Sequence, residues 1–468
     1  MPNQTPQGRL ARALSLRVCL VSSLRAFTGN SVTARRVAQH LRGRGCEVAL
    51  VDADADSAAL PAADVVIALH AYRSGRLLLG ADAGAAAAAD AGAAVAAAAA
   101  AGVGAGVGAG AAPSIVVLSG TDLNSQLLAP DGEAAAAERE RAAKADVALR
   151  ACMRAAAVVV FGDEARERVE RNAFPFAAKT VVIPQAVSLP DDDMPDDDMR
   201  LRSDSTATAR VVAGEADSSD DEACARLGAG CGGDGGASAE ELYDGSGAED
   251  VRAELGLPSS AILLLLVCGL RAVKSPLFVA ETLASWRAAA VEDVNLLIIG
   301  PELEADVAVA VRERTGAVEG GPEFGGRDGL YYHAPVARRR LLRWMAQADV
   351  VVNSSESEGQ SNTLLEAFLV GTPVVARRNA GNAALVGEGV DARGQLYDDC
   401  ASFEAATRRL LSRDSDCLDM VQRARAYALL QHGAVREAES WTQLVLWATA
   451  ADEGELPPRA GGVFILPH

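Results

Sequence analysis

Short, almost unbroken runs of Val, Ile, Leu and Ala recur along this chain, each followed by a stretch with helical spacing. The first run, at 16–23, leads through Thr28-Gly29-Asn30 into a helix predicted over 33–42. Further strands are predicted at 47–51, 64–69, 114–118, 156–161 and 180–183, with a charged helix at 163–171. The alternation restarts at 262–269 and runs through helix 276–289, strands 294–299 and 330–333, helix 337–348 and strand 350–353. Helix 363–370, strand 373–376 and helices between 403 and 448 complete it. Apolar runs without polar alternation are covered on both faces, which is the pattern of parallel strands between helices. Two such series predict an α/β chain of two doubly wound domains facing across a cleft, with ligands at the carboxyl ends of the strands.

Two segments break the pattern. Residues 81–112 are Ala or Gly except for Asp82, Asp90, Val95, Val103 and Val107. Residues 189–250 hold 18 acidic residues against four Arg, so most of the chain's net charge of −19 sits there. The expected organisation follows: a disordered start over 1–15, a first domain over 16–188 interrupted by the Ala/Gly insert, and an acidic disordered linker over 189–250. A second domain over 251–450 and a tail over 451–468 complete it.

The remaining composition excludes several classes. Away from the acidic linker the charge is near balance, which disfavours a nucleic-acid surface built from clustered Lys and Arg. The uncharged run at 91–112 is long enough to cross a bilayer, but Ala and Gly are weakly apolar and no aromatic or basic anchor flanks it, so no integral membrane segment is expected. The eight cysteines are scattered without a Cys-x-x-Cys pair, which predicts reduced thiols and no structural zinc. The expected compartment is the cytoplasm, with a weak N-terminal transit or secretory signal left open.

The most informative stretch runs from Asn353 through Ser354-Ser355-Glu356-Ser357-Glu358-Gly359-Gln360-Ser361-Asn362-Thr363 to Glu366-Ala367, followed by Gly371-Thr372-Pro373-Val374-Val375. A strand ends at Asn353, a small polar loop follows and a helix opens near Asn362. Free N–H groups at that helix start make an anion site, where Gly359 permits close backbone approach and Ser361, Asn362 and Thr363 line the first turn. Glu358 in the loop and Glu366 inside the helix cannot both touch a phosphate, and they suit hydroxyls on either side of it.

The arrangement Glu358-x(7)-Glu366 within E-G-x-S-x-x-x-L-E-A resembles the donor-site signature of retaining GT-B glycosyltransferases of family 4. The resemblance extends to 70–76, to Gly120-Thr121-Asp122, to Ile183-Pro184-Gln185, to 268–274 and to Gly381-Asn382. It implies a GT-B fold and transfer of a sugar from a nucleotide-diphosphate donor, UDP- or GDP-linked, to a hydroxyl of an unidentified acceptor. It also implies a front-face mechanism in which the departing phosphate helps to deprotonate the acceptor, with no cofactor and no metal. Arg271 and Lys274, after the first strand of the second half, are then expected to steady the leaving diphosphate. Gly29 and Asn30 are expected to approach the donor phosphates from the other domain, although a plain tight turn is the alternative. Glu366 is expected at the ribose and Glu358 at the transferred sugar.

His70 and Asp122 close strands of the first half and are candidate catalytic residues facing the cleft. The alternatives are a satisfied strand-end histidine and a helix cap before Leu123. His333 is expected to be structural. The Asp runs at 191–193 and 196–198 resemble a metal-binding D-x-D, but they lie in the acidic linker and are expected to be solvated. A catalytically silent sugar-nucleotide-binding or scaffold protein of the same fold is the competing function. A dinucleotide oxidoreductase is disfavoured, since no Gly-x-Gly-x-x-Gly follows the first strand.

Overall fold

The computed structural model describes residues 16–24, 29–55, 60–79, 112–120, 122–127, 135–189, 250–288, 293–318, 325–450, 459–460 and 463–464. The Asp runs at 191–193 and 196–198 and most of both inserts lie outside them.

The first half forms a six-stranded sheet from β1 (Arg17–Ser22), β2 (Glu47–Asp52), β3 (Val65–Leu69), β4 (Ser114–Val117), β5 (Ala157–Val160) and β6 (Thr180–Val182). Its order is β2-β1-β3-β4-β5-β6, with every pair parallel. The second half forms a seven-stranded sheet from β7 (Ile262–Val267), β8 (Val294–Ile299), β9 (Gly325–Arg327), β10 (Leu330–His333), β11 (Val350–Asn353), β12 (Val374–Arg377) and β13 (Gln395–Tyr397). Its order is β13-β12-β11-β7-β8-β10-β9, and only the edge strand β9 is antiparallel. The apolar runs are buried as their lack of alternation requires: every residue of β3, β5, β8 and β11 is inside.

The order of each sheet reverses once, between β1 and β3 in the first and between β7 and β11 in the second. Open parallel sheets bind ligands beyond the strand ends at such a reversal, because the connecting helices depart to opposite faces and leave a crevice. The loop carrying Arg271 and Lys274 follows β7, and the loop carrying Glu358 follows β11. The sequence therefore places its most informative residues at the second reversal.

The last long helix departs from expectation. Ala434–Thr449 lies in the stretch expected to belong to the second domain, yet Trp441, Leu444 and Val445 are buried in the same cluster as Val18, Leu20 and Ile67 of the first sheet and Val37 of the helix Gly29–Arg42. It is anchored by Glu437, which is 1% exposed and takes hydrogen bonds from Arg36 Nε (2.7 Å) and His40 Nε2 (3.0 Å). The preceding turn is tied as well: Val187 N donates to the His432 carbonyl, and His432 Nδ1 donates to the Gln185 carbonyl at 2.7 Å. The chain thus crosses between its halves twice, which fixes one against the other. Among the described residues, no helix is long and apolar enough to cross a membrane.

Candidate functional site

β11 ends in Asn353, and this buried amide organises everything around it. Its Nδ2 donates to Glu358 Oε1 and to Ser361 Oγ, both at 3.2 Å. Its Oδ1 accepts from Ser355 N (3.0 Å) and Asn382 Nδ2 (3.1 Å), and its carbonyl accepts from the Tyr397 hydroxyl (3.1 Å). A side chain with every donor and acceptor engaged has one orientation, so the loop it holds is preorganised. Ser361 caps the helix Asn362–Val370, accepting from Leu364 N, and Thr363 Oγ1 donates to the Val267 carbonyl at the end of β7. The helix N-terminus is thereby docked onto the two strands that flank the reversal.

Glu358 sits inside this loop with its side chain 10% exposed. Its Oε1 takes the Lys274 ammonium at 2.6 Å and the Ser355 hydroxyl at 2.7 Å, besides Asn353, while Oε2 has no hydrogen bond to a described residue. Burial pushes this carboxyl up, but the Lys274 charge and the three hydrogen bonds outweigh it and hold the group below the usual range. Arg271 and Lys274 flank one short turn, Ala272–Lys274, after β7. The Arg271 Nε is buried without a hydrogen-bond partner among the described residues. A buried guanidinium N–H so left suits an anionic ligand.

Glu366 is 14% exposed and is not free: its Oε1 receives Arg338 Nε at 3.0 Å, and Arg338 also donates to the Ser188 carbonyl at 2.8 Å. Arg338 thereby fixes the carboxylate. Arg338 lies 28 positions away in sequence and carries no motif, so pattern alone does not find it.

The first domain reaches this loop directly. Gly120 and Gly359 meet backbone to backbone: a methyl group on Gly120 would lie 2.5 Å from Gly359 N and 2.7 Å from its Cα. One on Gly381 would lie 2.4 Å from the Glu358 carbonyl oxygen. Asn124 Nδ2 donates to Ser357 Oγ (2.7 Å) and to the Glu358 carbonyl (3.1 Å). Gln360 bridges further, accepting from Gln185 N (3.2 Å) and donating to the Phe161 carbonyl (3.0 Å). Gly120, Gln185 and Gly381 are visible in the sequence as motif members, but their mutual packing appears only in three dimensions.

One expectation is corrected. Asp122 neither lines the cleft nor caps its own helix. It opens a π-helical turn, Asp122–Leu127, and is fully buried. Its carboxylate accepts from Ala71 N (2.8 Å), Tyr72 N (3.1 Å), Ser119 N (2.9 Å) and Ser119 Oγ (2.8 Å), and faces His70 Nδ1 at 2.8 Å. Such a saturated group has no capacity left for a substrate. Burial pushes its carboxyl up, and His70 with the Ser119 hydrogen bonds brings it below the ordinary range. Gly29 and Asn30 open the helix Gly29–Arg42 after β1. His333 packs edge-on against Trp344 with centroids 5.2 Å apart, the structural role expected of it.

Residues 261–413, which span this loop and both strands flanking the reversal, match the family model described as glycosyl transferases group 1. This stretch of the chain is similar to group 1 glycosyl transferases. Glycosyltransferase 1 domain-containing protein 1 of Xenopus tropicalis is 30% identical over 184 residues, covering 39% of this chain and 50% of that protein. A D-inositol 3-phosphate glycosyltransferase of Streptomyces griseus is 33% identical over 201 residues, 40% of each chain. The chain thus spans half or less of the curated relatives it matches. Among solved structures, Anabaena HepE in complex with UDP-glucose superposes with a TM-score of 0.56 at 14% identity, covering 92% of this chain and 99% of that one. The two-domain architecture is therefore GT-B.

Proposed function

We propose that the protein transfers a glycosyl group from a nucleotide-diphosphate sugar to an acceptor hydroxyl, with retention at the anomeric carbon and without a metal. The observation that carries this reading is the site at the second sheet's reversal. There Lys274, on the short turn that Arg271 opens, binds Glu358 in the loop leading to the N-terminus of Asn362–Val370, and Glu358 keeps one carboxylate oxygen without a hydrogen bond to a described residue. Positive charge from a guanidinium, an ammonium and helix N–H groups suits a leaving diphosphate and supplies the role a metal plays elsewhere. Glu358 supports a front-face course. With Oε1 saturated by Lys274, Ser355 and Asn353, it suits a hydroxyl acceptor role through Oε2 better than nucleophilic attack. Glu366, steadied by Arg338, is assigned to the ribose. HepE was solved with UDP-glucose, and a UDP- or GDP-linked donor is the corresponding proposal here.

Thermal stabilisation by a panel of UDP- and GDP-sugars tests the reading, since a ligand bound only to the folded state raises apparent stability by mass action. The expected result is stabilisation by one nucleotide-sugar class together with nucleotide diphosphate release on adding hydroxylated acceptors. Stabilisation without release on any acceptor would instead favour a silent sugar-nucleotide-binding protein, and no stabilisation by any donor would contradict both.

A further inference from the structure

The loops that follow β4 and β5 meet the donor loop through one side-chain amide. Asn124 stands in the turn Asp122–Leu127, and its Nδ2 donates to Ser357 Oγ (2.7 Å) and to the Glu358 carbonyl (3.1 Å) of the second half. Its Oδ1 accepts from Arg168 Nη1 at 2.5 Å. Arg168 lies on the helix Asp163–Arg171 after β5, is 20% exposed, and has its Nε 3.5 Å from Glu164 Oε1. A guanidinium carries only donors, so it faces the amide oxygen and not the amide nitrogen. Arg168 therefore decides which way Asn124 points, and the donating end is turned toward the second half.

The platform beneath Asn124 is fixed. Its turn opens at Asp122, whose buried carboxylate gathers the Ala71, Tyr72 and Ser119 amides and so ties the loop after β4 to the loop after β3. Gly120 of the same loop touches Gly359. The receiving side is held independently, because the Glu358 carboxylate takes Lys274, Ser355 and Asn353, all of the second half. Asn124 grips the peptide carbonyl of that residue. Glu358 thus has its side chain secured by one half and its backbone by the other. Removing the Asn124 amide leaves the donor groups where they are and loosens the register between the halves.

The donor site lies in the second half, which leaves the facing first half to hold the acceptor. The spacing of the halves at the sugar then sets the distance that the new bond must close. We propose that Asn124, oriented by Arg168, is the positioning residue that fixes this spacing, so that transfer to a bound acceptor depends on it while donor binding and hydrolysis by water do not. Water needs no seat on the first half. The inference rests on the transferase reading and its front-face course. The acceptor oxygen bonds to the anomeric carbon, and the bond from that carbon to the phosphate oxygen breaks. The electron pair leaves on the diphosphate, and the hydroxyl proton goes to the same departing phosphate. Asn124 supplies no group to this step and acts by position.

The test uses the full chain and its Asn124→Ala, Asn124→Asp and Arg168→Met variants, with UDP-glucose and, in parallel, GDP-mannose. Glycerol, glucose and myo-inositol serve as acceptor probes, water alone is the reference, and calorimetry with UDP and GDP reads the donor site. For Asn124→Ala the expected result is transfer at least about 100-fold lower, with hydrolysis and nucleotide affinity within about threefold of wild type. Asn124→Asp keeps the size and the Arg168 contact but turns a carboxylate oxygen toward the Glu358 carbonyl, so it should lose as much. Arg168→Met lets the amide rotate and should cost transfer about tenfold. Adding Ser357→Ala to Asn124→Ala should lose little more, since the two share one interaction. Hydrogen exchange of the peptides carrying Gly120 and Gly359, read without acceptor, should be at least about tenfold faster in Asn124→Ala. Unchanged exchange, transfer by Asn124→Asp within about threefold of wild type, or transfer and hydrolysis falling together in Asn124→Ala would overturn the proposal. A wild-type chain that binds either donor yet releases no nucleotide would overturn the transferase reading, and this one with it.

Discussion

Replacing Lys274 by Met keeps the aliphatic stem and removes the ammonium that lies 2.6 Å from Glu358 Oε1. The two side chains are only 16% and 10% exposed, so water cannot fully replace the lost charge. Glu358 keeps Ser355 Oγ at 2.7 Å and Asn353 Nδ2 at 3.2 Å, but burial already opposes its ionisation and then loses its main counterweight. Removing one partner of a buried pair costs about 3–5 kcal/mol. The residual exposure and the two surviving hydrogen bonds place this case at the low end, about 3 kcal/mol at pH 7. In the variant the folded carboxyl is raised above its unfolded value, so the folded state binds the extra proton and stability falls as pH rises. The loss should therefore shrink to about 1 kcal/mol near pH 5. Glu358→Gln in the same background should recover about 2 kcal/mol, because no charge is then stranded. Urea denaturation of the four proteins of this double-mutant cycle at pH 7 and pH 5, followed through the second domain's transition, measures these values. A coupling below about 0.5 kcal/mol, or a loss independent of pH, would refute the reasoning.

Other outcomes follow from the same geometry. Gly120→Ala places a methyl group 2.5 Å from Gly359 N, so the two loops must part by about 1 Å; turnover should fall about 100-fold while melting temperature changes little by comparison, and wild-type kinetics would contradict the close approach. Arg338→Ala should weaken nucleotide diphosphate binding about tenfold by freeing Glu366 to rotate, with calorimetry as the check. Acid should unlatch the terminal helix in two stages, read by circular dichroism. His432, lowered to about 4 by burial despite its bond to Gln185, is neutral when folded and charged when unfolded, so stability falls as pH drops from about 6.5 to 4. Glu437, lowered to about 2 because Arg36 and His40 outweigh its burial, adds a second loss between about pH 4.5 and 2. Flat stability from pH 7 to 4 would show that His432 is not held as described, and flat stability from about pH 4.5 to 2 the same of Glu437.

The strands were legible because burial on both faces demands continuous apolar runs, and β8, β10 and β11 lie where those runs lie. The helix Ala135–Arg154 escaped notice because its alanines continue the composition of the low-complexity segment and give little contrast between faces. The three-residue strands β9 and β13 are too short to carry a period. The terminal helix shows an apolar face at Trp441, Leu444 and Val445, but periodicity does not say which core receives it. At the site, the loop carrying Glu358 and the helix start near Asn362 were readable from the sequence, whereas the Ser361 cap was not. The Asn353 hub, the Arg338–Glu366 pair and the Gly120–Gly359 contact join residues that are distant in sequence, and they follow from the fold. Asp122 was misplaced for a related reason: its five contacts come from two loops after neighbouring parallel strands, which no local window contains.

The most direct test of the central claim is paired calorimetry of Glu358→Gln and Glu366→Gln with a nucleotide diphosphate and its sugar conjugate. The account predicts that Glu366→Gln weakens both ligands, since the carboxylate held by Arg338 is assigned to the ribose they share. Glu358→Gln should leave the free nucleotide nearly unaffected and lose only the increment contributed by the sugar. Loss of free nucleotide binding in Glu358→Gln with none in Glu366→Gln would contradict the placement of the ligand along the helix Asn362–Val370.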